Sequence, residues 1–321
     1  MSESPSRPDP AVTVAVPLYN EEQGVEQLLK RVNAVLEELP RRGDHEILCV
    51  DDGSDDGTLG KLLEMRTVYP NLRVLTLSRN FGHQAALSAA LDAAEGDVVF
   101  VIDGDLQDDP ATLPRFLEKY LGGADVVYAT RARRPESMWL RAAYAIHYRL
   151  LSLLSETAIP VDAGDFSLLS RRAVELLKSL PERQRYLRGL RAWVGLVQVG
   201  VPVDRDARFA GVSKYSVRDL IGLSLSGLFA FSVVPLRVAT FLGAVSVVGG
   251  LGYGVYVLID RLTGGSPQGF AALAIMQIVF AGMILLVLGV IGEYIGRIYD
   301  EVKRRPIYVV AEEWKPSGSD G

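Results

Sequence analysis

Asp103-Gly104-Asp105-Leu106-Gln107 sets two carboxylates and an amide at alternate positions, directly after the apolar run 97–102 (DVVFVI). Hard oxygen donors in this spacing suit Mg²⁺ or Mn²⁺. Such an ion keeps waters, takes up substrate phosphates, and neutralises a departing diphosphate. A second acidic stretch is Val50-Asp51-Asp52-Gly53-Ser54-Asp55-Asp56-Gly57-Thr58. Its glycines allow a tight turn close to a ligand. Asp52, at a strand end, can accept hydrogen bonds from a base or ribose, while Asp55 and Asp56 read as helix caps. Neither stretch is a GxGxxG or GxxxxGK[ST] loop, which disfavours a nicotinamide or flavin cofactor and an ATPase. His83, in NFGHQ, reads either as a substrate contact or as a capping and packing residue. His45 and His147 read as surface or interface residues.

These residues need a scaffold. Short β-branched apolar runs at 12–17, 46–50, 72–77, 97–102 and 124–130 read as strands. Between them, a helix capped by Asn20 carries Val25, Leu28, Leu29, Val32, Val35 and Leu36 at helical spacing. A second helix follows 54–58, and 84–94 is a small-residue helix. Strands alternating with helices predict an α/β fold with a mainly parallel sheet, covered on both faces. Ligands in such sheets bind beyond the carboxyl ends of the strands, where Asp52, Asp103 and Asp105 fall. Residues 138–154 form an amphipathic stretch with Arg141 and Arg149, read as a helix over the core or on a membrane surface.

Beyond residue 220 the sequence turns apolar. The runs 238–259 and 270–291 carry no charge and are long enough to cross a bilayer, which takes about 20 residues. Arg237 precedes the first, and Arg297, Lys303, Arg304 and Arg305 follow the second, so the positive-inside rule puts both termini in the cytoplasm. The segment 220–234 reads as interfacial or re-entrant. Gly243, Ala244, Gly249 and Gly250 would allow close helix packing, including that of a homo-oligomer. The net charge of −5 argues against nucleic acid as a partner. Cys49 is the only cysteine, which excludes an intrachain disulfide and a cysteine-based zinc site, and its context reads as a buried strand.

The stretches Pro17-Leu18-Tyr19-Asn20-Glu21, VDDGSDDGT and DGDLQDDP together resemble family 2 inverting glycosyltransferases with a GT-A fold. The nearest resemblance is to the polyprenyl-phosphate, dolichol-phosphate mannose synthase-like branch. Gly164-Asp165-Phe166-Ser167-Leu168-Leu169-Ser170-Arg171-Arg172 is similar to that branch's GDFRL-xxR motif, with Ser167 in place of the usual Arg. Arg208-Phe209-Ala210-Gly211-Val212-Ser213-Lys214-Tyr215 is similar to its RxAGxSKY motif, and residues 292–299 to the end of two-span bacterial members. The resemblance runs from about Val12 to about Val310.

It implies a GT-A (Rossmann-like) catalytic domain over 11–215, after a disordered tail at 1–10. An interfacial segment at 216–236, a two-span region at 237–300 and a cytoplasmic tail at 301–321 would follow, in a multi-pass protein of the cell membrane. It implies transfer of a hexose, glucose and UDP-glucose first, to polyprenyl phosphate, undecaprenyl phosphate first. Pro17, Tyr19, Glu21, Val50, Asp52, Asp103, Gly104, Asp105, Arg208 and Lys214 would hold the nucleotide-sugar. Asp103, Asp105 and Gln107 would meet Mg²⁺ or Mn²⁺, and Arg131 and Arg141 the acceptor phosphate. Asp165 and Asp103 would be catalytic, with Asp165 the family's candidate base. The acceptor is already largely deprotonated near neutral pH, however, because the second pKa of a phosphate monoester is about 6. Asp165 would then orient the acceptor or stabilise positive charge. Mannose or a modified arabinose are alternative sugars. A processive synthase would need QxxRW and more spans. A flippase subunit or membrane scaffold is the alternative of another class, and a flippase would carry charges within its spans.

Overall fold

Every residue of Val12–Leu18 is buried, as in a strand covered on both faces. The computed structural model describes residues 7–41, 43–131, 163–183, 185–203, 234–263 and 269–316. Its elements run β1 (Val12–Leu18), α1 (Val25–Glu38), β2 (Glu46–Asp51), α2 (Thr58–Met65), β3 (Leu72–Leu77), α3 (His83–Ala93) and β4 (Val98–Val101). A 3₁₀ turn at Pro110–Thr112 leads into α4 (Leu113–Leu121), β5 (Val126–Arg131), β6 (Ala163–Ser170), α5 (Arg171–Ser179), α6 (Leu187–Trp193) and β7 (Gln198–Val203). Two long helices, α7 (Val234–Leu262) and α8 (Phe270–Lys303), precede β8 (Val310–Trp314).

The strands form one eight-stranded sheet in the order β7-β5-β6-β4-β1-β2-β3-β8. The pairs around β1 and β2 are parallel, while β6 runs antiparallel to both β4 and β5. The mainly parallel sheet read from the sequence is therefore present, with two antiparallel strands in it, β6 and β8. Val101 pairs with Ser167, so the same register carried two residues further brings Asp103 level with Asp165. The reversal of β6 thus sets the start of one motif beside the end of another.

Side chains alternate across a strand. Phe166 packs on Phe100 of β4 and Phe116 of α4, with ring centroids 5.3 Å away in both cases. Its neighbour Asp165 is thereby committed to the opposite face, where α3 and α6 lie. An aromatic pair adds about 0.5–1.5 kcal/mol beyond its buried area, so this trio anchors the strand that carries Asp165. Cys49 is buried in β2, and burial pushes its thiol up to about 12, in keeping with a core residue.

Three local expectations change. Asn20 does not cap α1. It stands in the left-handed region at φ 54°, Gly24 occupies the cap position, and Asn20 Oδ1 accepts from Asp55 N at 2.9 Å. The polar start of the chain is tied down from Arg7 onward. Arg7 donates to Ala124 O at 2.7 Å and to Asp125 Oδ1 at 3.1 Å, and stacks 4.6 Å from the Tyr120 ring. The segment read as a cytoplasmic tail contains β8, which pairs antiparallel with β3 at the sheet edge. Arg73 fixes it, donating to Glu313 Oε1 at 2.8 Å and pairing with Glu46 and Glu95.

The chain divides into two units, one holding the sheet and one holding α7 and α8. In the second unit the apolar side chains face outward: Val248 is 70% exposed and Leu285 69%. Among the described residues two stretches are long and apolar enough to cross a membrane, Val238–Asp260 and Val279–Lys303. The first matches the expected span 238–259, and the second overlaps the expected span 270–291 from residue 279 onward. A Cβ added at Gly250 would touch Phe280 at 3.6 Å, whereas one at Gly243 or Gly249 would meet no other described residue within 4 Å.

Candidate active site

The ends of β1, β2 and β4 bring two loops together. Asn20 N donates to Ser54 Oγ at 3.0 Å, Glu21 N to Thr58 Oγ1 at 2.9 Å, and Tyr19 hydroxyl to Asp55 Oδ2 at 3.3 Å. The Pro17–Glu21 stretch and the VDDGSDDGT stretch are therefore one laced surface. Pro17 and Val50 pair across β1 and β2 and are buried, leaving their backbone as the contact they offer. Asp52 is 2% exposed and accepts from Phe81 N at 2.8 Å and Gly82 N at 2.9 Å. Burial raises its carboxyl above the ordinary value despite these two bonds. Its first task is to fold the loop that starts α3. Asp56 accepts from Thr58 N at 3.0 Å at the start of α2, but the cap position belongs to Gly57 and to neither Asp55 nor Asp56.

The DGDLQDDP loop alternates. Asp103, Asp105, Gln107 and Asp109 are half-buried, while Gly104, Leu106, Asp108 and Pro110 are buried. Leu106 stands at φ 61°, a left-handed position that turns the loop back on itself. Gly104 lies close against β1, since a Cβ there would meet Leu18 Cδ2 at 2.4 Å and Pro17 O at 3.1 Å. Asp108 Oδ2 accepts from Asp103 N at 3.4 Å, and Asp105 Oδ1 from Gln107 N at 3.2 Å. Among the described residues no three His, Cys, Asp or Glu side chains gather as an ion cage. The oxygen donors of Asp103, Asp105 and Gln107 match the chemistry of Mg²⁺ or Mn²⁺, with substrate phosphate left to complete the shell.

Asp165 is the most constrained group of the site. Arg188 Nε donates to Oδ1 at 2.9 Å and Nη2 to Oδ2 at 2.9 Å, a bidentate pair. Gln84 Nε2 donates to Oδ2 at 3.2 Å, while Gln84 Oε1 accepts from Leu187 N at 2.9 Å. His83 Nε2 lies 3.5 Å from Asp165 Oδ2 and 3.7 Å from Asp103 Oδ1. Burial pushes the Asp165 carboxyl up, but the bond from His83 and the Arg188 guanidinium hold it well below the usual carboxylate range. Burial lowers His83, and Asp165 and Asp103 more than offset this, so its net shift is upward. The partners of Asp165 favour its ionised form.

Of the residues expected from sequence, the structure thus brings together Asp103, Asp165 and His83, with Asp52 joined to the backbone beside His83. Arg131 ends β5, opposite Val203. Arg141, Arg208, Lys214 and the segment 220–233 lie outside the described residues. Arg188 and Gln84 carried no role in the sequence reading. Arg188 stands in Arg185-Tyr186-Leu187-Arg188-Gly189-Leu190-Arg191 among other arginines, and nothing local signals that its partner is on another strand. Ser167, at the position of the branch's usual Arg, is buried and donates to Asp165 O at 2.8 Å.

The family model described as Glycosyl transferase family 2 matches residues 13–177, and that described as GtrB C-terminal hairpin matches residues 234–298. An uncharacterized glycosyltransferase of Synechocystis sp. is 40% identical over 305 residues, which are 94% of this chain and 95% of that one. The SfII prophage-derived bactoprenol glucosyl transferase of Shigella flexneri is 38% identical over 301 residues, 93% of this chain and 97% of that one. Among solved structures, a mannosyltransferase from Pyrobaculum calidifontis, in complex with GDP-Man and Mn²⁺, superposes with a TM-score of 0.51 at 22% identity. That superposition covers 89% of this chain and 87% of the other, and it bears on the fold alone.

Proposed function

The chain belongs to glycosyl transferase family 2, and on that premise we propose that it transfers glucose from UDP-glucose to the phosphate of a polyprenyl lipid, with inversion. One observation carries this reading. The likeness to the Shigella bactoprenol glucosyl transferase spans 93% of this chain and 97% of that one, so it includes the helical hairpin as well as the sheet domain. A soluble acceptor would give the exposed apolar faces of α7 and α8 no task.

In the transfer, an acceptor phosphate oxygen attacks the anomeric carbon. The bond from that carbon to the diphosphate oxygen breaks, and its electron pair leaves with the nucleoside diphosphate. One in-line displacement inverts the configuration. Asp103, Asp105 and Gln107 would hold the divalent ion, which when bound supplies charge neutralisation at the departing diphosphate. The laced surface around Tyr19, Glu21 and Asp52 would receive the nucleotide, with Pro17 and Val50 beneath it and Gly104 allowing close approach. Arg208 and Lys214 would close over the diphosphate, and Arg131 and Arg141 would receive the acceptor phosphate. Asp165 acts as a fixed negative charge beside the reacting centre. It need not take a proton, because the acceptor phosphate, with a second pKa of about 6, arrives largely ionised. The remaining catalysis is positioning.

The hairpin would cross the membrane twice, with the basic cluster after α8 setting the catalytic domain on the cytoplasmic side. β8 supports an even number of crossings, since the chain returns after the hairpin to the sheet it left. The test is transfer from UDP-[¹⁴C]glucose to undecaprenyl phosphate in liposomes, with NMR of the product. Label in the lipid phase as a β-linked glucosyl phosphate bears the reading out. An α-linked product overturns inversion, and label only in water-soluble product overturns the lipid acceptor.

A further inference from the structure

We infer that Arg188 is a substrate-binding residue of this site: it commits Nε and Nη2 to Asp165 and offers Nη1 to a phosphoryl oxygen of a bound substrate. The inference rests on the transfer between two anionic substrates proposed above. The Asp165 side chain is 3% exposed and that of Arg188 37%, so the pair runs from the interior outward with the cation at its outer end. Among the described residues none accepts a bond from Nη1.

Arg191, three residues on along α6, shows what an arginine consumed by the fold looks like. It is 4% exposed, donates Nη2 to Gly164 O at 3.1 Å, and stacks 5.2 Å from the Tyr128 ring. Burial pushes its guanidinium down to about 10. Arg188 is held as firmly at one edge and left open at the other.

The location fits the role. His83 Nε2 lies within 3.7 Å of both Asp165 and Asp103, so the Arg188 pair adjoins the DGDLQ loop, where donor diphosphate and acceptor phosphate must meet. Asp165 alone would repel both anionic substrates, and Arg188 offsets its charge. A guanidinium braced by a carboxylate keeps a fixed direction, so little rotamer freedom is lost when it meets an anion.

The test uses the full chain in detergent with Arg188→Lys and Arg188→Ala, reading three quantities: melting temperature, Kd for UDP-glucose by calorimetry, and KM for undecaprenyl phosphate. A hydrogen bond to a charged group converts to about a tenfold to hundredfold loss, expected in one of the two constants and not the other. A rise in Kd assigns the donor diphosphate, and a rise in KM alone assigns the acceptor phosphate. Both constants unchanged while the melting temperature falls would show that Arg188 only neutralises Asp165, and would overturn the inference. If the Ala variant does not fold, the Lys variant carries the test. If wild type labels no lipid from any donor, the transfer reading fails on its own. UDP-glucose affinity then decides Arg188, and unchanged binding in the variants overturns its role.

Discussion

His83 Nε2 lies 3.5 Å from Asp165 Oδ2, although the two residues sit on different elements, α3 and β6. The same nitrogen is 3.7 Å from Asp103 Oδ1, so one imidazole spans the start of the DGDLQ loop and the buried carboxylate of β6. The antiparallel course of β6 makes this contact available.

Replacing Asp165 by Asn leaves Arg188 without its counter-charge. Breaking a buried pair costs about 3–5 kcal/mol, and the cost here should be about 1–3 kcal/mol because Arg188 reaches solvent. Melting of the detergent-solubilised protein measures it. Transfer should fall by at least about a hundredfold, the scale for losing a positioned electrostatic group. An unchanged kcat would remove Asp165 from the chemistry.

The pH dependence has a definite sign. The folded Asp165 carboxyl lies well below its unfolded value of about 3.9, so its contribution to stability is fully present above about pH 4. That contribution is lost as pH falls from there through the folded value. Between pH 8 and 5 Asp165 stays ionised, and the rate should fall toward acid with the acceptor phosphate, near about pH 6. The profile of kcat/KM against pH for the lipid checks this. A limb that moves when Asp165 is changed to Glu would restore it as a proton acceptor.

Gly53 stands at φ +65°, and a Cβ there would meet Arg79 C at 2.5 Å and Asn80 N at 2.7 Å. Gly53→Ala should therefore push the β3–α3 loop away from Asp52. The loss of stability should exceed about 1 kcal/mol, because the native backbone is incompatible with the new residue. UDP-glucose binding by calorimetry should weaken in step.

Removing residues 306–321 strips β8 from β3 and exposes a strand edge that invites pairing with other chains. The truncated protein should melt lower and aggregate in size-exclusion chromatography. Glu313→Ala should have a much smaller effect, about 0.2–1 kcal/mol, because Arg73 keeps Glu46 and Glu95.

What the sequence made legible follows from how each element announces itself. β1 to β4 are short, mostly apolar runs whose residues are almost all buried, broken only by Thr13, Arg73 and Thr76 and by the acidic ends of β2, and α1 has buried residues at helical spacing. β6 was recognised as a motif but not as a strand, since Gly-Asp-Phe-Ser interrupts any apolar run and its partners are distant. β7 carries a Gly and a Pro, and β8 reads VAEEW, so both look like loop or tail until a neighbouring strand supplies their hydrogen bonds. The acidic motifs were legible because ligand chemistry dictates residue types at short spacing. Arg188 and Gln84 were not, because their partner is a carboxylate 23 and 81 residues away and nothing local marks the pairing.

The most direct measurement of the central claim is transfer in liposomes containing undecaprenyl phosphate, with a panel of radiolabelled nucleotide sugars and Asp105→Ala run beside wild type. Label from UDP-glucose should enter the lipid fraction, stop on chelation of divalent metal, and be lost in the variant. A folded, nucleotide-binding wild type that labels no lipid from any donor would contradict the account, and label from another sugar alone would contradict its choice of glucose.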